Sequence, residues 1–228
     1  MTKIRNHTRA WFAWLIVVAI LGGYYGLWTI ATKPSNVTVV LVPQKVVHMT
    51  VFSLWGHWIG FEMRFQGGFS DPRVADLGKF AYRKNPTGEL TFPNPGQPIL
   101  TAVSVNGGPA AELEAMPASA RSSTETSRRL TQNHYAADGE WTWSPRKRDG
   151  LWASPGKNDI SLTVVDVGQP LMGEEVTLVA QPPLSFRFGQ SHYGWLWFAW
   201  FLCPLGAFTL GIIGLVLLWK TFVAAKRA

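Results

Sequence analysis

Two long uncharged segments limit what this chain can fold into. Residues 11–31 and residues 194–219 contain no Asp, Glu, Lys or Arg and consist mainly of aliphatic, aromatic and small residues. A helix needs about 20 apolar residues to cross a bilayer. The sequence therefore predicts two transmembrane helices, with residues 32–193 folded as a domain on one side of the membrane.

The net charge of +7 comes mostly from the two ends of the chain. The tails at residues 1–10 and 220–228 hold six of the 21 basic residues and no acidic residue, which leaves 15 basic and 14 acidic residues between them. Basic residues that flank membrane helices remain on the cytoplasmic side. We therefore expect two cytoplasmic tails and a nearly neutral periplasmic domain at a bacterial inner membrane, and no nucleic-acid partner.

The first apolar segment is expected to remain as an anchor. Its apolar run exceeds the core of about 7–15 residues found in a cleaved signal peptide, and no A-x-A-like site follows it. The one cysteine, Cys203, lies in the second apolar segment. The predicted domain therefore has neither an internal disulfide nor a metal site with a cysteine ligand.

The segment between the predicted helices has a β pattern. Short runs rich in Val, Ile, Thr and aromatic residues alternate with turns that contain Gly, Pro or Asn. The predicted strands are residues 37–42, 46–52, 58–65, 99–105, 140–143, 160–167 and 175–180. We predict a mainly β protein, in which two transmembrane α-helices flank a β-sandwich-like domain of immunoglobulin-like outline, with a partly open barrel as the alternative.

A polar stretch of small residues interrupts this pattern at residues 107–137. It is rich in Ala and Ser, and insertions of this length in a compact domain are commonly functional or disordered. We expect a polar loop here, or a short helix at residues 110–116. The carboxylates of Glu112 and Glu114 within it are expected to be solvated.

Small residues lie on one face of each predicted helix. Gly22 and Gly26 are four residues apart in the first helix, and Ala207, Gly211 and Gly214 occupy positions i, i+4 and i+7 in the second. Small side chains let helices approach closely in lipid. The two helices either pack on each other through these faces or dock against another membrane subunit or a second copy of the chain.

The most distinctive run of the predicted domain combines tryptophans with three consecutive bases. Aromatic rings stack on sugars, and Arg and Lys bind anionic groups, so this run is a candidate contact for an envelope glycan, an anionic lipid or a partner protein. A β-hairpin whose turn carries the bases is the structural alternative. The candidate residues are Trp141, Trp143, Arg146, Lys147, Arg148 and Trp152.

The sequence contains no recognisable catalytic or metal-binding motif. The histidines and methionines lack His-x-His and Met-x-x-Met spacing, and G-x-S-x-G, P-loop and dinucleotide motifs do not occur. We predict no cofactor, no metal and no catalytic residue. The leading hypothesis is a non-enzymatic subunit or scaffold of an envelope protein complex. The second hypothesis is a glycan- or lipid-binding module, and the third is an exported copper-binding protein or hydrolase.

Overall fold

The protein consists of a helical unit and a β-rich unit. The structure, a computed structural model, describes residues 2–68, 72–84, 86, 88–132, 141–143, 150–184 and 191–226. The helical unit contains residues 1–32 and 189–228, and the β-rich unit contains residues 33–188. The prediction of a mainly β domain flanked by two long apolar helices is confirmed.

The helical unit is built from two long helices. Helix α1 spans Thr2–Thr32, and helix α3 spans Ala199–Ala225 after a 3₁₀ segment at Ser191–Phe198. The short helix α2, Val74–Leu77, belongs to the β-rich unit. Both long helices contain a stretch that is long and apolar enough to cross a membrane, by length and composition.

The described part of the β-rich unit contains fourteen strands. They are β1 (Ser35–Val40), β2 (Val46–Ser53), β3 (His57–Ile59), β4 (Phe61–Gln66), β5 (Arg83–Lys84), β6 (Leu90–Phe92), β7 (Ile99–Val105), β8 (Ala111–Ala115), β9 (Ala120–Arg121), β10 (Glu125–Thr131), β11 (Trp141–Trp143), β12 (Leu151–Ala153), β13 (Gly156–Val167) and β14 (Glu175–Ala180). Each predicted strand overlaps at least one of them.

Most of these strands form one antiparallel sheet that curves into a nearly closed barrel. Its order is β1-β14-β4-β10-β8-β7-β13-β2, and β9 pairs with β10 outside this path. Strands β1 and β2, at opposite ends of the order, lie against each other. One sheet that returns on itself encloses the core without a second layer. This barrel replaces the predicted sandwich of immunoglobulin-like outline.

Alternating side chains fill the barrel. In β13, Ile160, Leu162 and Val164 are buried, whereas Ser161 and Thr163 between them are partly exposed. This pattern matches the sequence prediction, because successive side chains of a strand point to opposite faces of the sheet. Other residues of the same core include Phe61, Met63, Phe65, Leu113 and Leu130.

The predicted loop at residues 107–137 contains three strands where the structure describes it. Strands β8, β9 and β10 lie in this stretch, and β10 is central in the barrel, between β4 and β8. The predicted helix at residues 110–116 is wrong, because Leu113 and Ala115 enter the core as alternate residues of a strand. Residues 133–137 lie outside the described residues.

Side-chain hydrogen bonds hold the polar strand β10 in the sheet. Thr126 Oγ1 donates to the carbonyl oxygen of Gly67 at 3.0 Å. Arg128 is fully buried and donates to four backbone carbonyls, with N···O distances from 2.7 to 3.3 Å. Buried polar groups are tolerated where they have such partners. A sequence too polar to resemble a strand can therefore occupy a central position.

The remaining strands form two small sheets. One has the order β11-β6-β5, and the other pairs β12 with β3. The strands that carry Trp141 and Trp152 therefore belong to different sheets, and the predicted hairpin between them is wrong. Trp141 lies opposite Phe92 of β6 in register, and both side chains are fully buried. This apolar partner outside the expected hairpin accounts for the pairing of β11 with β6.

Candidate functional site

Helices α1 and α3 form an antiparallel pair, and three hydrogen bonds join α1 to α3 and to the 3₁₀ segment before it. The bonds run from Trp11 Nε1 to Thr221 Oγ1 (3.2 Å), from Trp14 Nε1 to the carbonyl oxygen of Leu210 (2.9 Å) and from the Tyr24 hydroxyl to the carbonyl oxygen of Trp195 (2.7 Å). Hydrogen bonds between helices in lipid contribute about 0.6–2 kcal/mol each. Two of these bonds join α1 to α3 within about one turn of α1, and the third joins α1 to the 3₁₀ segment that precedes α3.

Two glycines of α3 allow close contact between these helices. A Cβ atom placed on Gly214 would lie 3.2 Å from the Trp14 ring, and one placed on Gly206 would lie 3.0 Å from Leu21. Gly214 belongs to the small-residue face identified in the sequence. Gly206 does not, although it lies about two turns before Gly214 on the same helix.

Three of the other small residues identified in the sequence border an open apolar groove of about 550 Å³. Gly22 lies in the α1 wall, and Ala207 and Gly211 lie in the α3 wall. A Cβ atom placed on Gly22 or Gly211 would meet no atom within 4 Å. The same is true of Gly26, which is not among the lining residues.

The groove offers mainly apolar contact, and its two side chains with a polar hydrogen besides Trp14 are Tyr25 and the free Cys203. Its lining includes Trp14, Val18, Leu21 and Pro204 and contains no Asp, Glu, Lys, Arg or His. A helix with its side chains is about 10–12 Å wide, and glycine in both walls lets another backbone approach closely. Such a surface can bind an apolar helix or lipid chains by van der Waals contact.

Of the predicted aromatic and basic residues, the structure describes the three tryptophans. Trp141 is fully buried, and its ring centroid lies 5.4 Å from that of Phe92. Trp143 is half-buried, whereas Trp152 is exposed and packs edge-on against Trp58 at 5.8 Å. The three bases Arg146, Lys147 and Arg148 lie outside the described residues. Trp141 is therefore a core residue of the described structure, and the ligand or partner contact of this run stays a prediction.

One carboxyl group that was expected to be solvated is buried. Glu114 is 5% exposed and lies opposite Thr131 of β10 in register, whereas Glu112 on the same strand is exposed. Burial raises the pKa of Glu114 to about 7, although the Trp141 indole and the charge of Arg128 act to lower that pKa. The alternation of β8 places both carboxylates on one face, but only the fold shows which of them is covered.

The burial of Glu114 predicts a pH-dependent stability. The pKa of this carboxyl rises from its ordinary value of 4.5 to about 7 on folding, so the folded protein holds the proton more tightly. The proton on Glu114 therefore stabilises the folded domain in full below a pH of about 4.5. As the pH rises from there through 7, the free energy of unfolding falls by about 2 kcal/mol, after allowance for solvent screening. Glu114→Gln is expected to remove this loss. Chemical denaturation at about pH 5 and about pH 8 measures it.

Glu112→Gln is the matched control for this prediction, since Glu112 is exposed two residues away on the same strand. We expect it to leave the pH dependence unchanged. Equal effects of the two substitutions, or a parent protein whose stability does not vary over this pH range, would contradict the role assigned to Glu114.

Among the described residues, the histidines considered for copper belong to no metal-binding cluster. His57 is buried, with Nδ1 3.2 Å from the carbonyl oxygen of Trp55, whereas His48 lies exposed on β2. No group of three or more His, Cys, Asp or Glu side chains suited to a metal ion occurs in the described ranges. His134 lies outside them.

Comparison with known proteins gives no family for this chain, since no protein family and no curated protein matches it. Among solved structures, the chain is similar to a crystal structure of a protein from Sulfurospirillum deleyianum. The two share 12% sequence identity with a TM-score of 0.43, and the similarity covers 67% of this chain and 98% of that one. A similarity of this size assigns neither a family nor an activity.

Proposed function

We propose that this protein is a non-enzymatic, membrane-anchored subunit or scaffold of an envelope protein complex. In this proposal, α1 and α3 cross the bacterial inner membrane and the β-rich domain lies in the periplasm. The observation that carries the proposal is the apolar groove on the helix pair, with glycine in both walls. Its occupant would be an apolar helix of a partner subunit.

The groove suits a helix because it lies on a pair that is already held together elsewhere. The hydrogen bonds of Trp11 and Tyr24 lie toward the two ends of α1, and neither residue lines the groove. Gly22 and Gly211 leave open space on opposite walls. Helix association in lipid depends on close packing between small residues, since lipid chains are as apolar as leucine. A helix that fits this shape therefore gains contacts that mobile lipid chains do not supply.

The charges and aromatic residues that flank the two helices support the proposed topology. The tail bases Lys3, Arg5, Arg9, Lys220, Lys226 and Arg227 would all lie in the cytoplasm. Trp11 and Trp219 would lie at the inner interface, and Trp28 and Trp195 at the outer one, depths that tryptophan favours. Protease added outside spheroplasts is expected to cut the β-rich domain and spare the tails. Cleavage of the tails alone would contradict this topology.

Gly22→Leu is expected to displace the partner, because a leucine side chain would fill the groove. Overpacking a formed interface costs about 1–3 kcal/mol, which corresponds to a loss of affinity of about 5- to 150-fold. The measurement is photo-crosslinking in intact cells from a photoreactive residue at Val18, which lines the groove. Mass spectrometry of the adduct identifies the partner. We expect the adduct of the parent protein to contain a different membrane protein.

Gly23→Leu is the matched control. Gly23 is the next residue on the same helix, a Cβ atom placed there meets nothing within 4 Å, and it does not line the groove. We expect this variant to retain the adduct. An adduct of the chain with itself would show that a second copy of the chain, and not a different subunit, occupies the groove, and would contradict the proposed partner. Equal loss of the adduct in both variants, or crosslinking to lipid alone, would count against the proposal.

A further inference from the structure

The exposed segment 79–84 combines three bases with two aromatic rings. It reads Lys-Phe-Ala-Tyr-Arg-Lys, and all six residues are exposed. Its last two residues form β5, which lies at one edge of the β11-β6-β5 sheet. No acidic residue occurs in the three strands of that sheet. We call residues 79–84 the basic-aromatic segment.

The aromatic rings of the basic-aromatic segment are fixed on the core yet remain open to solvent. The ring centroids of Phe80 and Tyr82 lie 5.4 and 5.9 Å from that of Phe92, which itself packs on Trp141. Phe80 is nevertheless 44% exposed and Tyr82 51% exposed. The buried rings therefore hold two large apolar side chains at the surface.

The bases of the basic-aromatic segment are not used for ion pairs within the described structure. Lys79, Arg83 and Lys84 have no salt-bridge partner among the described residues. By contrast, Arg73 pairs with Glu174 and Lys157 pairs with Asp159. Three cations with no ion-pair partner among the described residues, beside two exposed rings, match the chemistry of a phospholipid interface. There, bases meet anionic headgroups and amphipathic rings lie at headgroup depth.

We infer that the basic-aromatic segment binds the anionic surface of a phospholipid bilayer. The inference rests on the proposed membrane anchoring and adds a second, peripheral contact to it. Helix α1 ends at Thr32 and β1 begins at Ser35, so no more than about 10 Å of chain joins the domain to this helix. Such a short tether keeps the domain at a high effective concentration near the membrane surface, where even a weak contact is populated.

Protection of a sheet edge explains only part of this segment. Lysine on an edge strand prevents pairing with another chain, which accounts for Lys84 on β5. Exposed Phe80 and Tyr82 work against that purpose, because large apolar side chains at an edge favour association. A bilayer interface accounts for the bases and the rings together.

The test uses the full chain, reconstituted into vesicles and labelled at one cysteine. Ala81→Cys in a Cys203→Ala background places an environment-sensitive fluorophore between the two rings without removing either. The vesicles contain phosphatidylcholine alone, or phosphatidylcholine and phosphatidylglycerol in equal parts, with a spin-labelled lipid as quencher. We expect strong quenching only with phosphatidylglycerol. About 1 M salt should reverse it, because the Debye length then falls to about 3 Å.

Arg83→Gln/Lys84→Gln is expected to weaken the contact about 25-fold, since each base near an anionic surface contributes roughly fivefold. Lys45→Gln/Lys157→Gln is the matched control, because it removes the same charge from two exposed positions elsewhere on the domain. The control should retain the quenching. Equal quenching on both vesicle types, or equal loss in both double variants, would overturn the inference.

Alkaline carbonate extraction of the same vesicles separates the two ways of failing. A chain that carbonate removes from the bilayer would refute the proposed anchoring and the surface contact together. A chain that stays integrated but shows no lipid-dependent quenching would refute the surface contact alone. The proposed role of the groove is tested separately, by Gly22→Leu.

Discussion

Arg128→Met is expected to destabilise the β-rich domain by about 3–5 kcal/mol, the range seen when one partner of a buried charged network is removed. The guanidinium group donates to the carbonyl oxygens of Ala115 and Gln97 at 2.7 Å, of Met116 at 3.0 Å and of Pro95 at 3.3 Å. Methionine fills a similar volume but leaves these carbonyls without that donor. Each unsatisfied buried acceptor is costly, so the loss exceeds that of one hydrogen bond.

Pulse proteolysis of the full chain in detergent over a urea series measures this loss, since protease cuts the unfolded fraction of the domain. Arg83→Met is the matched control, because Arg83 is exposed on β5. Its effect should stay within about 0.5 kcal/mol. A loss below about 1 kcal/mol for Arg128→Met would show that water replaces the guanidinium group, and would contradict its role as the link between β10 and residues 95–97.

Trp141→Ala is expected to cost about 3–5 kcal/mol, because it empties a fully buried site between Phe92 and Met116. The substitution also removes the indole that lies near Glu114 and acts to lower its pKa. Domain stability is measured by the same pulse proteolysis. A loss of this size would distinguish a tryptophan that packs in the core from an exposed tryptophan that binds a ligand.

Trp152→Ala is the control for Trp141→Ala, since Trp152 is 51% exposed and its described ring contact is the edge-on one with Trp58. Its expected cost is about 1 kcal/mol or less, the value of one aromatic pair. If the two substitutions lower the free energy of unfolding equally, β11 is not fixed in the core. A retained fold with lost glycan binding in Trp141→Ala would instead restore the ligand role that the sequence suggested.

The strands that were predicted correctly share a local signal. In β13 the buried residues alternate with partly exposed Ser161 and Thr163, and β7 occupies the predicted range Ile99–Val105. Alternation and β-branched side chains are properties of consecutive residues, so no knowledge of neighbouring strands is needed. The same holds for α1 and α3, whose apolar length is visible in the sequence alone.

The strands that were missed lack that signal because their partners are distant in the chain. The polar residues of β10 indicate a loop until hydrogen bonds satisfy them, as those of Arg128 do with Gln97, about thirty positions earlier. The pairing of β11 with β6 likewise depends on Phe92, which packs on Trp141 from outside the expected hairpin. Patterns within one segment cannot report such contacts.

The candidate site was also only partly visible in the sequence. The spacing of Gly22, Ala207 and Gly211 identified faces for close helix contact, but it did not distinguish the groove from the contact between α1 and α3. In the structure, the Trp14 ring packs on Gly214, which therefore belongs to the contact between the helices. Gly211 has open space beside it and therefore belongs to the groove. The exposed rings of the basic-aromatic segment were not recognised either, since their exposure depends on Phe92 beneath them.

The sequence by itself determined the two apolar helices, the β content of the domain and the placement of most of its charge imbalance in the tails. These follow from hydropathy, periodicity and composition, which are set by neighbouring residues in the chain. Only the tertiary structure decided that the sheet closes into a barrel, that Trp141 and Glu114 are buried and that Gly22 and Gly211 face a common groove. Burial and proximity are fixed by residues far apart in sequence, and a linear pattern does not specify which of them meet.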